Sequence, residues 1–135
     1  MIVMDASAAL AMVSGSPEGV GLRESMLAGE HVVAPELFSY ELLNAIRKYV
    51  QGGYISKEAG RLWWEAGVGL VDELFPLSDM GAEVLAEALA TGHPAYDISY
   101  MVLARRAGAT LFTLDKRLAE VCAKRDVNCV EMAEI

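Results

Sequence analysis

The chain of 135 residues has few cysteines, few basic residues and no long apolar run. Two cysteines are too few for a disulfide scaffold or a four-ligand zinc site, so we expect Cys122 and Cys129 to be buried or half-buried thiols. No apolar run reaches the roughly 18 residues that a membrane-spanning helix needs. The N-terminus lacks the basic segment that opens a signal peptide. These absences predict a cytoplasmic protein without a membrane span.

Basic residues are outnumbered by acidic ones. The chain has 11 Lys and Arg against 19 Asp and Glu, which gives a formal net charge of −8. Such a balance argues against a protein that coats nucleic acid by neutralising its phosphates. It leaves open an enzyme that gathers carboxylates around a metal ion and meets a phosphate through that ion.

Hydrophobic residues make up 54% of the chain, which excludes an intrinsically disordered protein. The length suits one domain over residues 1–135. Short apolar segments alternate with segments of helical periodicity, and this alternation predicts an α/β fold with a mostly parallel central sheet and helices on both faces. The predicted strands are Ile2–Met4, His31–Ala34, a segment ending at Phe75, Thr110–Leu114 and Val127–Val130. The predicted helices are Ala6–Val13, Pro17 to about Ala28, Pro35 to about Val50, one that starts at Ser56, Asp79–Ala90, Tyr96–Ala107 and Asp115–Lys124.

Four carboxylates stand out against this pattern. Asp5 and Asp115 directly follow predicted strands, and ligands of parallel α/β sheets bind at the carboxyl ends of the strands. Glu41 borders the apolar stripe of its helix, and Asp97 lies in the first turn of another. Four acids brought together repel one another unless divalent cations neutralise them. Mg²⁺ and Mn²⁺ prefer such oxygen ligands, and a site of this kind can hydrolyse a phosphodiester.

Each acid also has a simpler interpretation. Asp5 and Asp115 could be helix N-caps, and Asp97 could interact favourably with its helix dipole. Glu41 could be a solvated residue that faces Lys48. Periodicity alone cannot bring Glu41 and Asp97 to the strand ends. The chain could therefore also be a non-catalytic protein-binding module.

Four stretches carry a resemblance to PIN-domain ribonucleases, most closely to the small VapC toxins of bacterial and archaeal toxin–antitoxin pairs. The first resembles the opening strand with the first acid, the next two resemble helices with the second and third acids, and the last resembles the strand and turn with the fourth. In chain order these stretches are residues 2–10, 35–45, 96–104 and 111–118. Together they span nearly the whole chain in the family's order.

The resemblance implies an enzyme, a metal-dependent endoribonuclease. The residues that match the acids and would ligate Mg²⁺ or Mn²⁺ are Asp5, Glu41, Asp97 and Asp115. Ser7 and Thr113 match hydroxyl positions and would support catalysis by orienting a carboxylate or a metal-bound water. Asn44 matches a frequent polar residue and ranks below them.

The resemblance also implies partners. The substrate would be RNA, and the protein would form a homodimer and bind an antitoxin. The candidate contacts to other chains lie on the apolar helices before residue 70, including Leu37, Phe38, Trp63 and Trp64, where we expect one tryptophan in the core and the other at an interface. The candidate contacts to RNA phosphates are Arg47, Lys48, Arg105, Arg106, Lys116 and Arg117. His31 and His93 are expected to be surface residues rather than ligands.

Overall fold

Five parallel strands form the central sheet of the computed structural model, which describes residues 1–15, 20–21, 23 and 29–131. The strands are β1 (Ile2–Met4), β2 (Val32–Pro35), β3 (Glu73–Phe75), β4 (Thr110–Thr113) and β5 (Cys129–Glu131). Their order across the sheet is β3-β2-β1-β4-β5, and every neighbouring pair is parallel. The predicted parallel α/β architecture is confirmed. The predicted helix from Pro17 to about Ala28 lies largely outside the described residues.

Helices cover both faces of the sheet. The helices of the described residues are α1 (Ala6–Val13), α2 (Leu37–Gln51), α3 (Lys57–Gly69), α4 (Gly81–Thr91), α5 (Ala95–Ala107) and α6 (Lys116–Lys124), with a short 3₁₀ turn at Leu77–Asp79. The first three pack mainly against one another, whereas α5 packs on α4, on α6 and on the central strands. None of these described helices combines the length and the hydropathy that a membrane span requires.

The middle strands of the sheet are deeply buried. Val3, Met4 and Leu111 have no exposed surface. Burying side chains on both faces explains why β1 is a continuous apolar run without polar alternation. Met4 lies beside Phe112 in the register of β1 and β4, so both strands end at the same edge of the sheet.

Local capping signals determine several helix ends. The Ser56 side chain accepts a hydrogen bond from the Ala59 N–H at the start of α3. Gly92 and Gly108 end α4 and α5 in the left-handed conformation, with φ of 72° and 61°. These three ends agree with the predicted bounds.

The predicted start of α2 at Pro35 is wrong by two residues. Pro35 is the last residue of β2 and lies beside Phe75 of β3. The next N–H, that of Glu36, donates to the Phe75 carbonyl at 2.8 Å. The sheet therefore holds this segment extended, and α2 begins only at Leu37.

The cysteines and tryptophans are distributed over different parts of the fold. Cys122 is buried and Cys129 is half-buried, and both are free thiols as predicted. Trp63 and Trp64 are both half-buried and both pack against the core, so the expected division into one core and one interface tryptophan is not seen. The Trp63 ring meets Tyr49 edge to face, with the ring centroids 5.6 Å apart.

Candidate active site

The carboxyl ends of β1 and β4 place the first acid and a hydroxyl residue side by side. Asp5 follows β1, and its N–H donates to the Phe112 carbonyl at 3.2 Å. Thr113, the last residue of β4, is fully buried and donates its hydroxyl to Asp5 Oδ2. The register of these two central strands therefore creates the centre of the candidate site.

Asp5 is a buried carboxylate with several hydrogen-bond donors. Its Oδ1 accepts from the Ser7 hydroxyl at 2.7 Å and from the Ala8 N–H at 2.9 Å. The second contact makes Asp5 the N-cap of α1, as the capping interpretation predicted. Burial raises the pKa of Asp5, and the hydrogen bonds from Thr113, Ser7 and Ala8 oppose this rise. The hydrogen bonds therefore hold the Asp5 carboxylate in place, although its burial removes it from water.

The two hydroxyl side chains also connect Asp5 to the turn after β4. Ser7 Oγ accepts from the Leu114 N–H at 3.1 Å, and Thr113 Oγ1 accepts from the Asp115 N–H at 2.9 Å. Each hydroxyl therefore donates to Asp5 and accepts from the β4–α6 turn. This geometry suits the orienting role predicted for Ser7 and Thr113.

Asp115 begins α6. Its Oδ1 accepts from the N–H groups of Arg117 and Leu118, at 2.9 and 3.3 Å, so the capping prediction holds here too. Within the described residues, Asp115 Oδ2 has no hydrogen-bond donor. A capping oxygen and an open oxygen on one carboxylate allow Asp115 to hold the helix and still face a ligand.

Glu41 projects from the middle of α2 and is not a solvated residue paired with Lys48. Its Oε1 accepts a hydrogen bond from the Tyr100 hydroxyl at 2.6 Å. Burial raises the pKa of Glu41, the Tyr100 bond opposes this, and the charges of Asp97 and Asp5 add to the rise. Burial, followed by the Glu41 charge, raises the pKa of Tyr100, so the phenol stays a donor.

Asp97 lies in the first turn of α5, where the sequence placed it. Burial raises its pKa, and the charge of Asp115 adds to the rise. His93 and Arg117 act in the opposite direction and lower it. His93, which is expected to be a surface residue rather than a ligand, therefore lies near Asp97.

The four acids form one electrostatic cluster. Asp115 acts on Asp5 and Asp97, while Asp5 and Asp97 act on Glu41. Among the ion pairs of the described residues, none includes any of the four. The fold therefore gathers negative charge at one place without a protein cation bonded to it.

This donor set fits a hard divalent cation in its chemistry. Carboxylate oxygens are the ligands that Mg²⁺ and Mn²⁺ prefer, and clustered carboxylates gain most from a neutralising ion. Among the described residues, however, no three His, Cys, Asp or Glu side chains form a ready-made ligand group. Mg²⁺ commonly binds through one or two carboxylates and keeps several waters, which suits a cluster that does not close directly around the ion.

Tyr100 is the polar contact that the sequence did not predict. It is 2% exposed and lies among apolar residues of α5, so in the sequence it resembles an ordinary core aromatic. The only signal is its spacing, because Tyr100 lies three residues after Asp97 and so shares its helix face.

Four of the six candidate RNA contacts form two pairs that differ in their surroundings. Arg105 and Arg106 pair with Glu83 of α4, at 2.7 and 3.0 Å. Lys116 and Arg117 are exposed beside Asp115 and form no ion pair with a described residue. The second pair is therefore better placed to meet a phosphate near the acids.

Asn44 does not join the cluster. It is exposed, and its Oδ1 accepts from Arg47 Nε at 3.1 Å on the surface of α2. Arg47 also donates to Gln51 at 2.6 Å. This polar group lies along the helix exterior, and none of its hydrogen bonds with described residues involves the four acids.

The parallel sheet with acids at its carboxyl edge defines a known class of domain. Residues 2–124 match the PIN domain family. The match covers most of the chain, and the chain therefore belongs to the PIN domain family.

Individual relatives point the same way. The chain is 35% identical over 120 residues to Ribonuclease VapC12 of Mycobacterium tuberculosis, which covers 89% of this chain and 91% of that protein. It is 28% identical over 123 residues to Ribonuclease VapC3 of Pyrobaculum aerophilum, covering 88% and 92%. In structure it resembles the crystal structure of PAE2754 from Pyrobaculum aerophilum, with a TM-score of 0.68, 27% identity and coverage of 89% and 84%.

Proposed function

We propose that this chain is a metal-dependent endoribonuclease that hydrolyses RNA phosphodiester bonds and acts as the toxin of a toxin–antitoxin pair. One observation carries the proposal: the fold brings together Asp5 after β1, Glu41 on α2, Asp97 on α5 and Asp115 in the β4–α6 turn, so that neighbouring acids raise the pKa values of Asp5, Glu41 and Asp97. None of the four acids is in an ion pair with a described residue. The relatives named as VapC ribonucleases support the same activity. We place the protein in the cytoplasm, where its RNA substrate would be.

The proposed ligands of Mg²⁺ or Mn²⁺ are Asp5, Glu41, Asp97 and Asp115. When bound, the metal supplies an activated water and stabilises charge on a phosphoryl oxygen. Ser7 and Thr113 keep Asp5 oriented, because each donates a hydrogen bond to one of its oxygens. The open oxygen of Asp115 is available while its other oxygen caps α6.

We assign the first contact with the RNA backbone to Lys116 and Arg117. Both side chains are exposed at the start of α6, next to Asp115. Arg117 is also close enough to Asp97 to lower its pKa. A cation beside the acidic cluster can attract an RNA phosphate that the carboxylates would otherwise repel.

Titration of the protein with Mn²⁺ in a calorimeter tests the proposed metal site. We expect wild type to bind Mn²⁺ and the Asp97→Asn variant to lose at least tenfold in affinity. Asp126→Asn is the matched control, since Asp126 is exposed and follows the far end of α6 from Asp115. Equal affinity of all three proteins would argue that any bound Mn²⁺ lies outside the cluster.

The antitoxin surface that we propose is an apolar groove of about 460 Å³ between α2 and α3. Its apolar lining is Leu43, Ile46, Val50, Gly60 and Trp64, and the cations Arg47 and Lys57 also line it. Arg61 lines it too, but its charge is paired with Glu58 and Glu65. An apolar surface with two cations beside it fits an amphipathic segment that carries acidic residues beside its apolar anchors. The expected occupant is a segment of the antitoxin.

Co-purification with the proposed antitoxin tests the groove. Leu43→Glu should abolish the complex, because it places a charge on the apolar lining. Leu62→Glu is the control, since Leu62 is 52% exposed on α3 and does not line the groove. Retention of the complex by the Leu43→Glu variant would exclude this surface.

For the homodimer we propose the outer face of α4. Leu85 and Leu89 lie one helical turn apart and are 59% and 76% exposed. Neighbouring exposed leucines of this kind favour contact with another apolar surface. Light scattering of the Leu89→Glu variant should show a monomer where wild type shows a dimer, and a wild-type monomer would refute the assignment.

The second candidate function is a non-catalytic protein-binding module. Asp5 and Asp115 both cap helices, as that interpretation requires, and the described acids form no ready-made ligand group. A module of this kind would bind its partner equally well with and without divalent cations. It would also keep its function in the Asp97→Asn variant.

A further inference from the structure

One phenol joins two of the helices that carry the candidate ligands. Tyr100 lies on α5, three residues after Asp97, and its hydroxyl donates to Glu41 on α2. We propose that Tyr100 is a positioning residue that holds the Glu41 carboxylate at the acidic cluster in the orientation needed for metal binding. This inference rests on the metal-dependent function proposed above.

The Tyr100–Glu41 bond has the geometry of a strong hydrogen bond. The two oxygens are 2.6 Å apart, within the range of roughly 2.5 to 2.7 Å for a hydroxyl that donates to a carboxylate. The Tyr100 side chain is 2% exposed, so close packing fixes the ring and hence the hydroxyl. Glu41 receives its hydrogen bond from a donor that is itself immobile.

Glu41 needs such a donor more than Asp5 and Asp115 do. Asp5 and Asp115 are held by backbone N–H groups at helix starts. Glu41 lies within α2, has a longer side chain, and accepts from no backbone N–H of a described residue. Without Tyr100, its carboxylate would keep rotamer freedom that metal binding must then remove.

The Tyr100–Glu41 hydrogen bond connects two helices that pack in different parts of the molecule. α2 packs on α1 and α3, whereas α5 packs mainly on α4 and on β1 and β2. Glu41 and Asp97 therefore belong to different packing groups. The Tyr100 hydroxyl links them, and it occupies only Oε1 of Glu41, which leaves Oε2 for a ligand.

Crystal structures without metal test the positioning directly. In Tyr100→Phe the ring stays and one oxygen is lost, so we expect Glu41 to leave its wild-type rotamer or to occupy several. Tyr40→Phe is the matched control, because Tyr40 is 76% exposed on the same helix as Glu41. An unmoved Glu41 carboxylate in the Tyr100→Phe structure would overturn the proposal.

Affinity for Mn²⁺ tests whether the positioning matters for the site. We expect Tyr100→Phe to weaken Mn²⁺ binding by about 10- to 100-fold, as loss of a partner that orients a metal ligand does. In the Glu41→Gln background the same change should have no further effect, since Tyr100 acts through Glu41. Equal losses in both backgrounds would show a general structural role and overturn the inference.

The two experiments separate this inference from the proposed function. If wild type binds no Mn²⁺, the metal site fails, and the role of Tyr100 in metal binding fails with it. The position of Glu41 in the metal-free crystals still shows whether Tyr100 orients it. If wild type binds Mn²⁺ and Tyr100→Phe binds it equally well, only the role of Tyr100 is refuted.

Discussion

At the scale of single residues, the candidate site depends on carboxylates that serve two purposes. Asp5 and Asp115 cap α1 and α6 and still belong to the acidic cluster. The interpretations as caps and as site residues, which compete in the sequence, are compatible in the structure. Asp115 caps its helix with Oδ1 and keeps Oδ2 open among the described residues, whereas Asp5 caps with Oδ1 and accepts from Thr113 with Oδ2.

The residues of the cluster differ in how far the sequence could predict them. The positions of Asp5 and Asp115 follow from strand ends, which are a local signal. The place of Glu41 beside the others came from the family resemblance, because periodicity carries no information about distant contacts. The Tyr100 contact spans 59 positions along the chain, and its one local signal is the three-residue spacing of Tyr100 from Asp97.

Thr113→Val should destabilise the protein by about 1 to 3 kcal/mol, because it leaves a buried oxygen of Asp5 without its donor. Thr110→Val in the same strand is the control and should change stability by less than about 0.5 kcal/mol. Its hydroxyl makes no hydrogen bond to a described residue. Urea unfolding of both variants provides the comparison, and equal stabilities would contradict the role given to Thr113.

Removing the charge of Asp97 should change how stability depends on pH. The folded-state pKa of Asp97 is raised above 3.8, so the folded protein favours its protonated form. Its favourable contribution is present below about pH 3.8 and is lost as pH rises through the raised pKa. In EDTA, the stability of Asp97→Asn relative to wild type should therefore increase from pH 4 to pH 7.

Urea unfolding of both proteins at several pH values measures this difference. Because the variant stays neutral, effects of the other acids on the two curves largely cancel. A relative stability that falls with rising pH would mean that Asp97 is stabilised by a partner when ionised. That result would contradict the repulsion on which the metal proposal rests.

At the scale of elements, most bounds follow from local chemistry, and the errors have tertiary causes. Ser56, Gly92 and Gly108 are local start and stop signals, and they mark the ends correctly. The last strand begins at Cys129 rather than Val127, since the Val127 N–H bonds back to the Cys122 carbonyl of α6 at 2.9 Å. No property of the segment itself predicts that contact.

Close approach of α2 and α3 leads to a prediction for Gly67. A Cβ at Gly67 would lie 2.6 Å from Leu42 Cδ2, and Leu42 is fully buried. Gly67→Ala should therefore cost about 1 to 3 kcal/mol, as overpacking of a core does. Gly69→Ala in the same helix is the control, since a Cβ there meets no atom within 4 Å.

Thermal unfolding of the two glycine variants measures the predicted difference in stability. The Gly69 variant should be as stable as wild type or slightly more stable, because alanine favours the helix. A Gly67 variant of equal stability would mean that α2 and α3 can separate without cost. The wall of the groove would then be adaptable rather than rigid.

At the scale of the whole molecule, the fold explains how an acidic chain could act on RNA. The sheet order places β1 and β4 together, which brings Asp5 to the β4–α6 turn. Helices on both faces add Glu41 and Asp97 from opposite packing groups. Alternating strands and helices predicted the parallel architecture, but the strand order and the groove depend on contacts between distant segments.

Metal-dependent cleavage of RNA is the direct test of the proposed ribonuclease activity. A mixed-sequence, partly looped RNA is incubated with wild type in Mn²⁺, in Mg²⁺ and in EDTA, with Asp97→Asn and Asp126→Asn proteins alongside. We expect cleavage by wild type and Asp126→Asn that requires one of the two metals, and a loss on the order of a hundredfold or more in Asp97→Asn. Cleavage that persists in EDTA, or at an unchanged rate in Asp97→Asn, would contradict this expectation.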